Sequence, residues 1–562
     1  MRDYGIDEIR KQIIGNDILF KGPFGERHLM YADYTASGRG LRYIENIILN
    51  IEESYANTHT EDDYSGKYMT NILYQAENKI KNLINAGKNY KIISTGSGTT
   101  GALKRLQEIL GVYIPPGTKE NIYQWISESD KSSRYIIETI EKSRPVVFIG
   151  PYEHHTNEIM WREAFVELVK IDLDEKGEIS LVDLEQKIKD EKFSKRMKIA
   201  SFSAGSNITG IKTRVYDIAR ICHKYGVLVL FDFAAVAPYV EIDMNKDKES
   251  YFDAIFFSPH KFLGGPGSSG ILVFNEKIYR KDLPPTISGG GTVTYVGSDV
   301  HAYLNEIEKR EKAGTPPILQ TIKAALVLEL KEKIGIKHIE EIEMNYSQYF
   351  IHQLNQIKNL ELIGNSTAEN RIPIVSFNIR HKDRILHPRL VTKLLNDLFG
   401  IQSRAGCSCA GPYGHILLGI DRVTSKKLMN FIKKGYKGVK PGWVRVNIHY
   451  SFNKNDIDFL VKAIQFIAEY GSFFLKIYAF NMRTAQWKCI GFQEEVPVFS
   501  IDNDFNFKKI DLSRIENHRK FYLQQAQSIV NDLKKEKNLA FFQDEREIEE
   551  LKFFYYINRD QE

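Results

Sequence analysis

Ala254-Ile-Phe-Phe-Ser258-Pro-His260-Lys261-Phe-Leu-Gly-Gly-Pro-Gly-Ser-Ser-Gly270-Ile-Leu-Val-Phe274 joins two short apolar runs through a polar turn and a Gly-rich stretch. Both runs read as buried strands. The turn gathers a hydroxyl, an imidazole and an amine at Ser258, His260 and Lys261. An amine in that setting can form a Schiff base with a carbonyl cofactor such as pyridoxal 5'-phosphate (PLP), while the hydroxyl and imidazole hold a phosphate. A lone lysine after a strand is ordinarily just solvated, so the reading rests on its surroundings.

Upstream, Val227-Leu-Val-Leu-Phe231-Asp232 is a continuous apolar run that ends in an acid. Parallel strands buried on both faces read this way, and their C-terminal ends carry chemistry. A carboxylate there suits a pyridine nitrogen that must stay protonated; the plain alternative is a loop-capping aspartate. Val215 to Tyr225 has helical apolar spacing and leads into this strand, which makes a βαβ unit. Lys91-Ile-Ile-Ser94 reads as a strand and Ala102 to Gln107 as the start of a helix. Between them lies Thr95-Gly-Ser-Gly-Thr99-Thr100-Gly101. Backbone N–H groups at a helix start bind phosphate, with Thr99 and Thr100 as the expected contacts. The lysine of a nucleotide-binding P-loop is missing from this turn. Two further apolar runs, Pro145 to Ile149 and Lys198 to Phe202, precede Glu153-His154-His155 and Ser206-Asn207. The expected fold is α/β with a mostly parallel central sheet.

Other segments extend the pattern: Tyr31-Ala-Asp-Tyr-Thr-Ala36, Gly289-Gly-Gly-Thr292, Ala313-Gly-Thr-Pro316, Arg404-Ala-Gly-Cys407-Ser-Cys409-Ala-Gly-Pro412 and Val444-Arg445-Val446. Taken in order from about Leu29 to about Ala468, the chain resembles the class V aminotransferase-fold family of PLP enzymes, above all its cysteine desulfurase and selenocysteine lyase branch. The resemblance implies a type I PLP-dependent transferase fold. A large PLP-binding domain is expected over 60–318 and a smaller α/β domain over 1–59 and 319–470. Residues 471–562 form an extension of unknown role.

The resemblance also implies roles. Lys261 carries the cofactor and moves a proton, Asp232 faces the ring nitrogen, and His154 stacks on the ring. Asn207 lies near the cofactor oxygen and the substrate carboxylate. Thr99, Thr100, Ser258 and His260 serve the phosphate, joined by Thr292 from the other subunit of a homodimer. Arg445 clamps the carboxylate of a small amino-acid substrate, with Arg404 a second candidate. Cys409 falls at the persulfide-forming nucleophile. The activity implied is conversion of L-cysteine to L-alanine, with a sulfur-acceptor protein as a further partner.

Two departures keep other reactions open. Ala235 stands where the family usually has glutamine or histidine on the cofactor's phenolic oxygen. Cys407 adds a thiol at a position that is not normally catalytic. A class V aminotransferase, lyase or epimerase is the alternative, and a catalytically silent PLP-binding protein a minor one.

Composition agrees with a catalytic protein. The 562 residues exceed one simple domain. The 77 basic and 72 acidic residues nearly balance, which argues against nucleic acid as the main partner. Four cysteines are too few for a disulfide scaffold and suit a reducing compartment. Neither a complete metal-ligand set, a membrane span nor a targeting segment is expected, so the expected location is cytoplasmic.

Overall fold

Strands Val146–Ile149, Ala254–Phe257 and Gly270–Asn275 are buried at every residue. Their unbroken apolar runs leave no face that could meet water. The computed structural model describes residues 4–58, 60, 62–129, 133–365, 370–537 and 539–557. Two compact units emerge. The first comprises residues 1–36, 207–210 and 341–562, and the second 37–206 and 211–340.

The second unit is built on a seven-stranded sheet. Its order is Tyr90–Thr95, Gly270–Asn275, Ala254–Phe257, Leu228–Asp232, Lys198–Ser203, Val146–Ile149 and Glu167–Lys170. Only Gly270–Asn275 runs against its neighbours; the other pairings in the sheet are parallel. The sheet is therefore mostly parallel, as the expected fold class requires. Alternate residues point to one face, and Val147, Ile199, Leu230, Phe256 and Leu272 gather there in one core with Leu103, Leu106 and Trp161. Leu103 and Leu106 come from the helix Thr99–Ile109, which packs on Gly270–Asn275. Two long helices, Tyr64–Leu83 and Ile318–Ile334, pack on each other in the same unit.

The first unit holds an antiparallel sheet in the order Leu360–Leu362, Ile374–His381, Trp443–Asn447 and Arg404–Gly406. Helix Lys454–Tyr470 begins with a capping box in which Asn453 and Asp456 satisfy each other's backbone N–H groups. Residues after Gly471 belong to this unit. Strand Tyr478–Asn481 forms a hairpin with Gln486–Cys489, and helix Ile515–Lys535 follows. That helix buries Tyr522, Ala526, Val530 and Leu533, an apolar stripe at helical spacing. Arg519 on the same helix donates to Asp456 Oδ1 at 2.5 Å with both side chains buried. Phe554 has no exposed surface and lies edge-on to His387 and Phe480, with ring centroids 4.5 and 5.1 Å away. The extension is thus an integral part of the first unit. Phe554→Ala is expected to cost this unit about 3–5 kcal/mol, read as a lowered unfolding midpoint in denaturant; an unchanged midpoint would show the extension to be dispensable for its stability.

Candidate functional site

The second unit brings several of the expected residues to one edge of its sheet. Thr95, Ile149, Asp232 and Phe257 end parallel strands. The segments that follow carry Thr99 and Thr100, His154, and Ser258 through Lys261. Brought together from 159 residues apart, Ser258 Oγ accepts from Thr99 N at 2.9 Å and lies 2.7 Å from Thr99 Oγ1. Helix Thr99–Ile109 starts after Gly98, which has no side chain to cap it, and Ser258 takes only the Thr99 N–H, so further N–H groups of the first turn are left for an anion. Position 98 must be glycine, because a Cβ there would sit 2.8 Å from Ser258 Oγ and 3.6 Å from His260 Nε2. Thr100 Oγ1 lies 2.9 Å from Thr156 Oγ1. Thr156 N donates to His154 Nδ1, which caps helix His155–Glu163.

Lys261 ends a short 3-10 turn over Pro259–Lys261. Burial, followed by the nearby Lys261 ammonium, pushes the His260 imidazole down to about 4, so it is neutral at pH 7. Its Nδ1 lies 3.1 Å from Ser37 Oγ. Asp232 is pushed up to about 6, mainly by burial; one N–H from Ala234 at 2.8 Å and the charge of Lys261 oppose the rise. It is still largely ionised at neutral pH. Thr292 is buried within the chain and donates to Gly289 O at 2.6 Å.

The first unit holds the remaining expected residues. Arg404 and Arg445 lie directly opposite each other on paired strands, and one acid spans both. Asp33 Oδ1 accepts from Arg445 Nη2 at 2.9 Å, and Asp33 Oδ2 from Arg404 Nε at 2.8 Å. Arg445 Nη1 donates to Asn207 O at 3.0 Å, and Asn207 Nδ2 to Ser408 O at 2.7 Å. A polar chain therefore runs from Asp33 through Arg445 and Asn207 to the backbone of the Cys407–Cys409 turn. Burial draws the Arg445 guanidinium down from its ordinary value, and Asp33 opposes this. Arg445 Nε and Asn207 Oδ1 are buried with no protein partner, so polar capacity remains for a ligand. Cys409 is exposed and Cys407 half-buried, and both are free thiols.

Trp443–Asn447 alternates in sequence like a half-exposed strand, yet all five residues are buried, because Arg445 and Asn447 find distant polar partners. Near the cysteines, Arg404–Gly406 is a strand and Gly411–Leu417 a helix, with Cys407 and Cys409 on the turn between. Sequence reasoning also missed the parts played by Asp33, Ser37 and Glu153. Glu153 is fully buried, accepts from Gly150 N, Ser203 N, Ser203 Oγ and Asn157 Nδ2, and is pushed up to about 7 by burial. A glutamate placed just after the apolar run Val146 to Ile149 was the available signal. Among the described residues no group of three or more His, Cys, Asp or Glu is placed to hold a metal, and no helix is long and apolar enough to cross a membrane.

The family model "Aminotransferase class-V" matches residues 30–125 and 125–460. The chain belongs to the class V aminotransferase family. The family's enzymes are PLP-dependent. The chain is 28% identical over 448 residues to a probable cysteine desulfurase of Halalkalibacterium halodurans, covering 79% of this chain and 94% of that protein. It is 27% identical over 389 residues to another from Streptomyces coelicolor, covering 68% and 84%. Its fold is similar to that of a cysteine desulfurase from Thermococcus onnurineus, with a TM-score of 0.64 and 22% identity over 84% of this chain and 99% of that one. The Escherichia coli cysteine desulfurase CsdA gives a TM-score of 0.59 and 19% identity over 83% and 99%.

Within this class V fold, the second unit's residues fit a phosphorylated pyridine cofactor. The helix start at Thr99, Gly98 flanked by Ser258 and His260, and one lightly bonded buried acid match its phosphate and its ring nitrogen. Raising Asp232 from 3.8 to about 6 costs the cofactor-free protein about 3 kcal/mol above pH 6, because the native state holds its proton more tightly than the unfolded state. Asp232→Asn should therefore raise the melting temperature of the cofactor-free protein at pH 7.5 and not at pH 4, while lowering turnover with cofactor by at least about a hundredfold. A lower melting temperature at both pH values would contradict the electrostatic cost.

Proposed function

We propose that the chain is a PLP-dependent cysteine desulfurase that converts L-cysteine to L-alanine and leaves the sulfur as a persulfide on Cys409. One observation carries the reading: an exposed thiol lies on a turn tied through Asn207 to a buried, incompletely satisfied arginine. The curated relatives' name, probable cysteine desulfurase, agrees with it.

Lys261, Asp232 and His154 would hold the cofactor ring, and Thr99, Thr100, Ser258 and His260 its phosphate. When bound, PLP supplies an electron sink that makes the substrate's α-proton removable. Lys261 moves that proton as general base. Asp232, as a carboxylate, would keep a proton on the cofactor's ring nitrogen. Arg445 binds the substrate carboxylate, and Asp33 positions it by holding the guanidinium in register. Cys409 attacks the substrate sulfur as thiolate and takes it over. Thr292 could serve a phosphate in the second subunit of a homodimer only by leaving its buried bond to Gly289 O, and a sulfur-acceptor protein would empty Cys409.

Ala235, in place of the family's usual glutamine or histidine, favours a second reading: transamination, elimination or epimerisation of another amino acid. Assays with paired amino and keto acids separate it from desulfuration.

The deciding experiment measures alanine released from L-cysteine by the PLP-loaded protein and by its Cys409→Ala variant. Alanine from the first and none from the second is expected, with PLP bound in both; full activity in the variant would sink the assignment. A protonated ring nitrogen beside Asp232 would draw its carboxyl below the cofactor-free value of about 6, so the acid limb of kcat/KM for the loaded enzyme is expected below pH 6. Asp33→Asn should raise KM for L-cysteine about tenfold or more with a smaller change in kcat; an equal loss in both would assign Asp33 to the chemical step.

A further inference from the structure

The turn that carries Cys409 holds a second thiol, Cys407, for which the proposed reaction has no use. Ala410 N donates to Cys407 O at 3.1 Å and closes a four-residue turn over 407–410. Its central residues, Ser408 and Cys409, have φ values of +47° and +58°. Positive φ at both central positions suits glycine and asparagine, and costs other residues about 1–2 kcal/mol each. Among the described residues this is the one place where two adjacent non-glycine residues adopt it. Strain held at a reactive loop points to a constraint on where its side chains go.

The turn has a chemical consequence. Two consecutive Cα–Cα steps of about 3.8 Å, folded back at a turn, place the first and third Cα within the about 4.4–6.8 Å that a disulfide spans. Cys407 and Cys409 occupy those two positions. Both have solvent access and neither is paired. The turn is anchored where Asn207 Nδ2 donates to Ser408 O at 2.7 Å. The remaining cysteines lie on regular elements, Cys222 in helix Val215–Lys224 and Cys489 in strand Gln486–Cys489.

We infer that Cys407 is a resolving thiol for the Cys409 persulfide, an inference that rests on the desulfurase reading. The Cys407 thiolate attacks Cys409 Sγ. A bond forms between the two cysteine sulfurs as the bond from Cys409 Sγ to the outer sulfur breaks. The electron pair of the broken bond leaves with the outer sulfur, which keeps its proton and departs as hydrosulfide. Cys407 sulfur is thereby oxidised as the outer sulfur is reduced. A dithiol reductant then reopens the disulfide by exchange, taking the oxidation onto itself. The product of this route is free sulfide, and continuous turnover depends on the dithiol.

The test uses PLP-loaded wild type and Cys407→Ser, with Cys407→Ala as a second variant. Each receives one equivalent of L-cysteine without reductant and is quenched with an alkylating agent over time. Alanine and sulfide are measured beside the mass of the peptide spanning the turn. The wild-type peptide should lose the mass of two hydrogens as sulfide appears. In both variants it should gain one sulfur and keep it about tenfold longer or more, the advantage of an intramolecular nucleophile being gone. A wild-type peptide that keeps the added sulfur as long as the variants do overturns the inference. Absence of alanine from the wild type would instead sink the desulfurase reading. The same comparison is then made after loading Cys409 with inorganic polysulfide, where equal persulfide lifetimes reject the resolving role on their own.

Discussion

An acid at the end of an apolar strand is the constraint around which the second unit is arranged. Val229, Leu230 and Phe231 have no exposed surface, so Asp232 emerges from hydrocarbon rather than from water. A nearby acid, Glu153, meets the same burial differently. Gly150, Ser203 and Asn157 supply it with four donor groups, whereas Asp232 accepts one N–H from Ala234. The saturated acid is a structural knot that ties the segment after Ile149 to the strand Lys198–Ser203. The lightly bonded one keeps its charge available for a partner, and Lys261 already offsets part of that charge. Parallel strand direction makes this division possible, because it delivers both acids, the glycine-rich turn and the lysine to the same edge.

In the first unit the governing element is Asp33. One carboxylate serves two arginines on neighbouring strands, and without it two guanidiniums would face each other across a strand pair with their charges uncompensated. Asp33 also occupies Arg445 much as a carboxylate ligand would, so the arginine is held in shape before any ligand arrives.

Much of the fold was legible because parallel strands buried on both faces appear as continuous apolar runs, as in Val146–Ile149 and Leu228–Asp232. The helix Val215–Lys224 was equally plain from its spacing. The turn chemistry at Ser258, His260 and Lys261 was visible as composition. The pairing of Ser258 with Thr99 was not, since it joins residues 159 positions apart. The burial of Arg445 was hidden for the same reason: alternation predicts one wet face, and the partner that dries it, Asp33, lies 412 residues away. The extension lacked any family pattern. The Tyr522, Ala526, Val530 and Leu533 stripe could have announced the packed face of its helix. What that face would meet was beyond the reach of sequence spacing.

Strand Ile18–Gly22 pairs with Lys508–Lys509, and His28 N donates to Tyr522 across 494 positions. Arg27 reaches Gln525 in the same way. On the ribosome, residues 18–28 therefore emerge long before the segment that completes their hydrogen bonding. The seven-stranded sheet draws on residues 90–275 alone and can close while the last quarter of the chain is still being made. The first unit must wait, with Leu19 and Met30, both buried in the finished fold, left open to solvent or to a chaperone. Synthesis thus has a built-in order, in which the sheet bearing Lys261 is assembled early and the unit bearing Cys407 and Cys409 is assembled last.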